Sequence, residues 1–209
     1  LFFSAAPPEG NTIISNTAAL NPFFTGQGGG LFIGESSPFT LTNNLVADNH
    51  ANTQGSGLWF DGTSARPAAG CLLHTTIADN HGSEGVHVGD YTTLAFTNTI
   101  VAGHQGVGIT VTTGSTVTLA ATLWYSNGSS TGGAGVIVIG TVNVYDDPAF
   151  VNPSAWDYHI GADSKAIDAG VDAEIKTDID GDSRPAGAGY DIGADEFWRK
   201  IYLPLVLRG

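Results

Sequence analysis

"GGLFIGE" (29–35), "SGLWFDG" (56–62), "EGVHVGD" (84–90), "VGITVTT" (107–113) and "AGVIVIG" (134–140) share one pattern: a glycine, then apolar, any residue, apolar. The glycines are Gly30, Gly57, Gly85, Gly108 and Gly135, spaced by 27, 28, 23 and 27 residues. Alternation with a period of two marks a strand, because successive side chains leave opposite faces. Leu31/Ile33, Leu58/Phe60, Val86/Val88, Ile109/Val111 and Val136/Val138 are therefore expected to point inward. Phe32, Trp59, His87, Thr110 and Ile137 should point outward. A unit of this size cannot bury its own apolar face, but stacked copies can, by aligning like residues on successive coils.

Two further series run in step with the first. One reads "NNLVADNH" (43–50), "TTIADNH" (75–81), "NTIVAGH" (98–104) and "TLWYSN" (122–127), with "NTIISN" (11–16) as a fifth member. The other, weaker, reads "PFTLT", "CLLHT", "TLAFT", "VTLAA" and "TVNVY". Three short strands per repeat, with no helical pattern between them, predict an all-β chain folded as a parallel β-helix. Coils about 4.8 Å apart make roughly five or six coils into a rod of roughly 25–30 Å. Asn49, Asn80 and Asn127 fall at matching turns, with Asn16 as a fourth, and should hydrogen-bond along the axis as a ladder. Asparagine also tolerates the left-handed conformation of a tight turn. Insertions at 18–28 and 62–70 break the period and read as loops on one side.

Charge excludes several partners. Residues 1–145 hold seven acids and only Arg66 as a base; residues 146–209 hold thirteen acids and six bases, which together give −13. A body so poor in cations does not neutralise phosphates, so nucleic acid and anionic membrane are not expected partners. No apolar run approaches the roughly 20 residues of a membrane span. Cys71 is the sole cysteine and reads as a small buried hydrophobe. The sequence contains no methionine and opens "LFFSAAPPEG", which is the expectation for a processed mature form or a fragment. "NGS" (127–129) is a formal glycosylation acceptor.

Within the coils, "ADNH" at 47–50 and 78–81 and "AGH" at 102–104 suggest stacked columns of Asp48 with Asp79 and of His50, His81 and His104. Such columns suit a metal, or are a turn motif repeated because the coil is repeated. His74, His87 and His159 have no partner evident in the sequence and read as solvated or core histidines. Phe32 and Trp59, outward on adjacent coils, either stack on sugar rings or pack under the insertions. Many parallel β-helices resemble pectate lyases and related sugar-cleaving enzymes, at the level of fold alone. A pectate-lyase-type site needs a base and clustered acids on Ca²⁺, and a polygalacturonase-type site needs clustered aspartates beside Arg-x-Lys. Neither is present in the coils. Asp48 and Asp79 offer an acid pair for glycosidase chemistry, nothing in the sequence selects them, and no catalytic residue is assigned.

The chain divides into coils (1–146), an acidic C-terminal cap (147–197) and an apolar, basic tail (198–209). "SKAIDAG" (164–170), "TDIDGDSRP" (177–185) and "GYDIGADEF" (189–197) resemble the end-of-helix region of secreted choice-of-anchor Q proteins, which belong to the pectate-lyase-like superfamily. That resemblance implies a right-handed β-helix and an extracellular or cell-surface location, and says little of activity. The family pattern has proline where Lys165 and Ser183 stand. "DIDGD" (178–182) is not an EF-hand, because Ser183 and Gly189 occupy the sixth and twelfth positions, where glycine and an acid are needed. It is either a turn cap, with Arg184 paired to a nearby acid, or a looser Ca²⁺ turn built from Asp178, Asp180 and Asp182 with Asp191 or Asp195 nearby. As a cap it would cover the strand edges at the open end of the rod. The tail offers Ile201, Tyr202, Leu203, Leu205, Val206 and Leu207 as an assembly strand. The expected function is a non-catalytic extracellular structural protein that assembles head-to-tail into filaments. Extracellular glycan binding is the second reading and carbohydrate cleavage the third.

Overall fold

The computed structural model describes residues 10–18, 26–35 and 38–198. It is a parallel β-helix of three faces. The first face stacks Leu31–Gly34, Leu58–Asp61, Glu84–Val88, Val107–Val111 and Ser129–Gly133. Ala68–Ala78, Thr92–Ala102 and Thr116–Tyr125 each run through a corner and serve both other faces. Phe39–Thr42 and Val136–Ile139 complete the second face. Thr12–Ile14, Leu45–Ala47 and Asn143–Tyr145 complete the third.

Register explains the core. Leu31, Leu58, Val86 and Ile109 stack in one column, and Ile33, Phe60, Val88 and Val111 in the next. All eight are buried, as the alternation predicts. The corner between the second and third faces is made by Asn43, His74, Asn98 and Ala121, which fall in line and share a positive φ near +50°. A second line of positive φ runs through Ser15, Asp48, Asp79, Gly103 and Ser126. The left-handed conformation therefore belongs to the residue before each ladder asparagine, not to the asparagine itself.

The ladder is continuous. Asn16 Nδ2 donates to Asn49 Oδ1 at 2.9 Å, and Asn49 Nδ2 to Asn80 Oδ1 at 2.9 Å. Asn80 Nδ2 then meets His104 Nε2 at 3.3 Å, and His104 Nδ1 meets Asn127 Oδ1 at 2.8 Å. His104 thus takes a rung of the asparagine ladder and does not stack with His50 and His81, which pair with each other. Its column follows from "AGH", one residue shorter than "ADNH". The repeated glycines serve the same device. A Cβ on Gly30 would lie 2.9 Å from Asn49 Nδ2, and one on Gly57 2.9 Å from Asn80 Nδ2; on Gly85 it would strike the His104 ring.

Three placements differ from the sequence expectation. Ser129–Gly133, not 134–140, supplies the fifth strand of the first face. Val136–Ile139 lies on the second face, and its phase is reversed: Ile137 aligns with buried Val117, while Val136 and Val138 face out and are exposed. Residues 141–145 accordingly shift to the third face, where Asn143–Tyr145 pairs with the end of Thr116–Tyr125. The acidic region differs too. It lies along the side of the third face instead of over the end of the rod. The outward side chains there, Ile100, Ala102 and Leu123, are apolar, and Ile160, Ala166 and Ile192 cover them. Ala47 and Ala78 are covered by Tyr158. Burying that second apolar face outweighs covering the end.

Among the described residues, nothing covers the end of the rod. Ile139 and Tyr145 are in register with Leu119 and Trp124, which are 1% and 2% exposed. Yet Ile139 is 51% and Tyr145 66% exposed. Among the described residues, Ser129–Gly133 and Val136–Ile139 each pair along one edge only. At the other end, Leu31 and Leu41 are already buried.

Candidate functional site

The C-terminal region is locked before it forms any site. Arg184 Nη1 meets Glu196 Oε2 at 2.7 Å with both side chains fully buried. Arg184 Nη2 also donates to the Gly193 and Ala194 carbonyls. Asp178 Oδ1 accepts the N–H groups of Asp180 and Asp182, and its Oδ2 that of Glu196. Asp191 accepts the N–H groups of Asp168 and Phe197 at 2.7 Å each. Asp178 and Asp191 are thus taken up by the backbone. Burial pushes Asp191 up to about 7, against those hydrogen bonds. Of the five carboxylates proposed for calcium, Asp178 and Asp191 are spent on backbone N–H groups, whereas Asp180 and Asp195 lie together beside His159.

The region is tied to the coils at separate points. Asn43 Nδ2 donates to the Thr177 carbonyl, and Asn98 exchanges hydrogen bonds with both backbone groups of Val171. The Ala194 N–H donates to Thr76 Oγ1 at 3.0 Å. The hairpin of Phe150–Asn152 and Asp157–Ile160 brings two aromatic donors to the aspartate column. Trp156 Nε1 donates to Asp48 Oδ2 and the Tyr158 hydroxyl to Asp79 Oδ2, both at 3.0 Å. Asp48 also meets Ser15 and His81. Asp48 and Asp79 therefore anchor the hairpin.

Between this hairpin and the third face lies a cleft of about 200 Å³. Thr12, Leu45 and Thr76 form one wall; Trp156, Tyr158 and His159 rise opposite, with Asp180 and Asp195 beside them. Trp156 is 55% exposed. His159, expected to lack partners, sits between Asp157 (Nδ1 to Oδ1, 2.6 Å) and Asp180 (Nε2 to Oδ2, 2.7 Å). Burial opposes charge on its ring, but the two carboxylates outweigh burial and raise it to about 9. Asp195 is buried, accepts the Ile160 N–H at 2.8 Å, and is raised by burial to about 6. Ligand atoms of His159, Asp180 and Asp195 all lie within 4.8 Å of one another. Asp180 and Asp195 were legible as acids; His159 was not, because the fold alone unites it with them.

Of the outward aromatics of the first face, Trp59 is enclosed by its neighbours on the adjacent coils. Trp59 is 6% exposed, packed between Phe32 and His87 with centroids 6.0 and 4.9 Å away. His87 in turn meets Glu84 at 2.9 Å, with both buried. A sugar ring does not reach Trp59 in this arrangement, so the aromatic open to a ligand beside a cleft is Trp156. The tail residues Ile201, Tyr202, Leu203, Leu205, Val206 and Leu207 lie outside the described residues.

A family model described as "Right handed beta helix region" matches residues 4–145. The chain belongs to that family of right-handed parallel β-helix proteins. Comparison with curated proteins finds no match, and neither does comparison with solved structures.

Proposed function

We propose that the protein is a non-catalytic, extracellular structural β-helix that joins a second copy through its open C-terminal end. The observation that carries this is the exposure of Ile139 and Tyr145 at positions that are core on the preceding coil. An unpaired strand edge with apolar residues on it is a template for further pairing. The opposite end has Leu31 and Leu41 already covered, so like ends pair and the contact closes as a two-fold dimer. The extracellular assignment rests on the resemblance of the 164–197 motifs. Sedimentation across a dilution series tests the assembly, with Ile139→Lys as the variant. A dimer that Ile139→Lys dissociates supports it. A strict monomer sinks it. Filaments would mean that the first coil is also an acceptor, and deleting 199–209 separates that contact from one made by the tail.

A second reading is glycan binding in the cleft, favoured by the exposed Trp156 beside carboxylates and a threonine wall. Binding on a glycan array that Trp156→Ala abolishes would establish it. Release of reducing sugar in the same assay would move the reading to cleavage.

A further inference from the structure

We propose that His159, Asp180 and Asp195 form a binding site for a divalent transition ion of the zinc class. The donor set is one imidazole and two carboxylates, from three separate segments: the hairpin, the 178–182 turn and the 189–197 motif. Calcium takes six to eight oxygens, whereas an imidazole with two carboxylates suits zinc and its neighbours. The three donors leave coordination positions open toward the cleft, where water or a ligand oxygen fits.

One donor pair is close to the spacing an ion needs, and all three donors lie within 4.8 Å of one another. With metal–ligand bonds of about 2.0–2.1 Å, tetrahedral donors stand roughly 3.3 Å apart. His159 Nε2 and Asp180 Oδ2 are 2.7 Å apart, so they separate by about half an ångström. Asp180 lies on an exposed turn and is free to make that shift. Asp195 is buried and held by the Ile160 N–H, which fixes its carboxylate. The second nitrogen of His159 is already oriented by Asp157 at 2.6 Å. A carboxylate behind a ligating histidine fixes ring orientation and raises its basicity. On binding, the ion takes the Nε2 lone pair and one proton leaves to solvent.

The test is calorimetric titration of the full chain with Zn²⁺, alone and against excess Ca²⁺. One ion per chain is expected, undisturbed by calcium, and its binding heat should vanish in His159→Gln and in Asp195→Asn. Asp157→Asn should weaken it by about 10–100-fold. His81→Gln, on the separate Asp48 contact, should leave it intact. Circular dichroism of each variant separates loss of the site from loss of the fold; His159 and Asp180 are exposed, so Asp180→Asn gives a second route if Asp195→Asn unfolds. No zinc binding, binding that survives His159→Gln, or displacement by calcium would each overturn the proposal.

Discussion

His104 shows how much one buried residue is constrained by its rung. It accepts from Asn80 at Nε2 and donates to Asn127 from Nδ1, which requires a neutral ring of one tautomer. Burial lowers its pKa from 6.5 to about 4, although the Asn127 contact favours the charged form. Unfolded, the imidazole takes up a proton near 6.5, so between these values the unfolded chain binds more protons and stability falls as pH drops. His74, lowered to about 3 by burial and then by the Arg184 charge, acts in the same direction. His104→Asn restores an all-asparagine ladder, and its denaturation midpoint should fall less between pH 7 and pH 4.5 than that of the natural chain. Asp191 and Asp195, raised by burial, act in the opposite sense but are common to both proteins. Equal losses would clear His104 of the effect. Arg184 is a second residue of this kind. Arg184→Ala leaves Glu196 charged without its partner in a dry site and should cost about 3–5 kcal/mol, read from chemical denaturation. A cost under about 1 kcal/mol would mean that water reaches Glu196.

At the scale of the element, the glycine strand and the ladder turn are one unit. Gly85 has no side chain because the His104 ring fills that space. Gly85→Ala should destabilise by about 1–3 kcal/mol, and a thermal melt of the pair Gly85→Ala with Gly114→Ala provides the contrast, since nothing lies within 4 Å of a Cβ on Gly114. Both substitutions force a side chain into place, but only the first meets a packed ring; Gly114, at φ +85°, reports the backbone cost alone. The same unit explains what sequence could and could not reveal. Four coils kept the glycine, the alternation and the ladder residue in phase, and those were legible. The fifth was not, because "SSTGG" (129–133) carries no apolar alternation and becomes a strand only by pairing with Val107–Val111. The next apolar run, "VIVI", then looked like the missing member with its phase inverted. His104 was misplaced for a related reason: residue type suggested a histidine column, while count from the strand set it on an asparagine rung.

For the whole molecule, the side-lying acidic region was hidden by the third face itself. "NTIVAGH" and "TLWYSN" are apolar at successive positions, so inward and outward faces could not be told apart and nothing signalled that both were buried. A stack of coils coupled only to neighbours frays from its ends. Here Trp156 and Tyr158 bind Asp48 and Asp79, and Thr177 meets Asn43, while Gly193 reaches Asn98. The strap therefore joins coils that do not touch. Native-state hydrogen exchange should show one cooperative unit. Trp156→Ala with Tyr158→Ala should release the early coils, which would then exchange faster than the later ones. Uniform exchange in that double variant would mean that the apolar contacts alone carry the coupling.

The same strap sets an order of events in time. A segment made after the coils fastens the coils made first, so a growing chain holds its early turns in a provisional state until Glu196 has arrived to close on Arg184. Contacts this distant along the chain are slow to form. The molecule is consequently at its most yielding before that closure, and becomes rigid only once it is made.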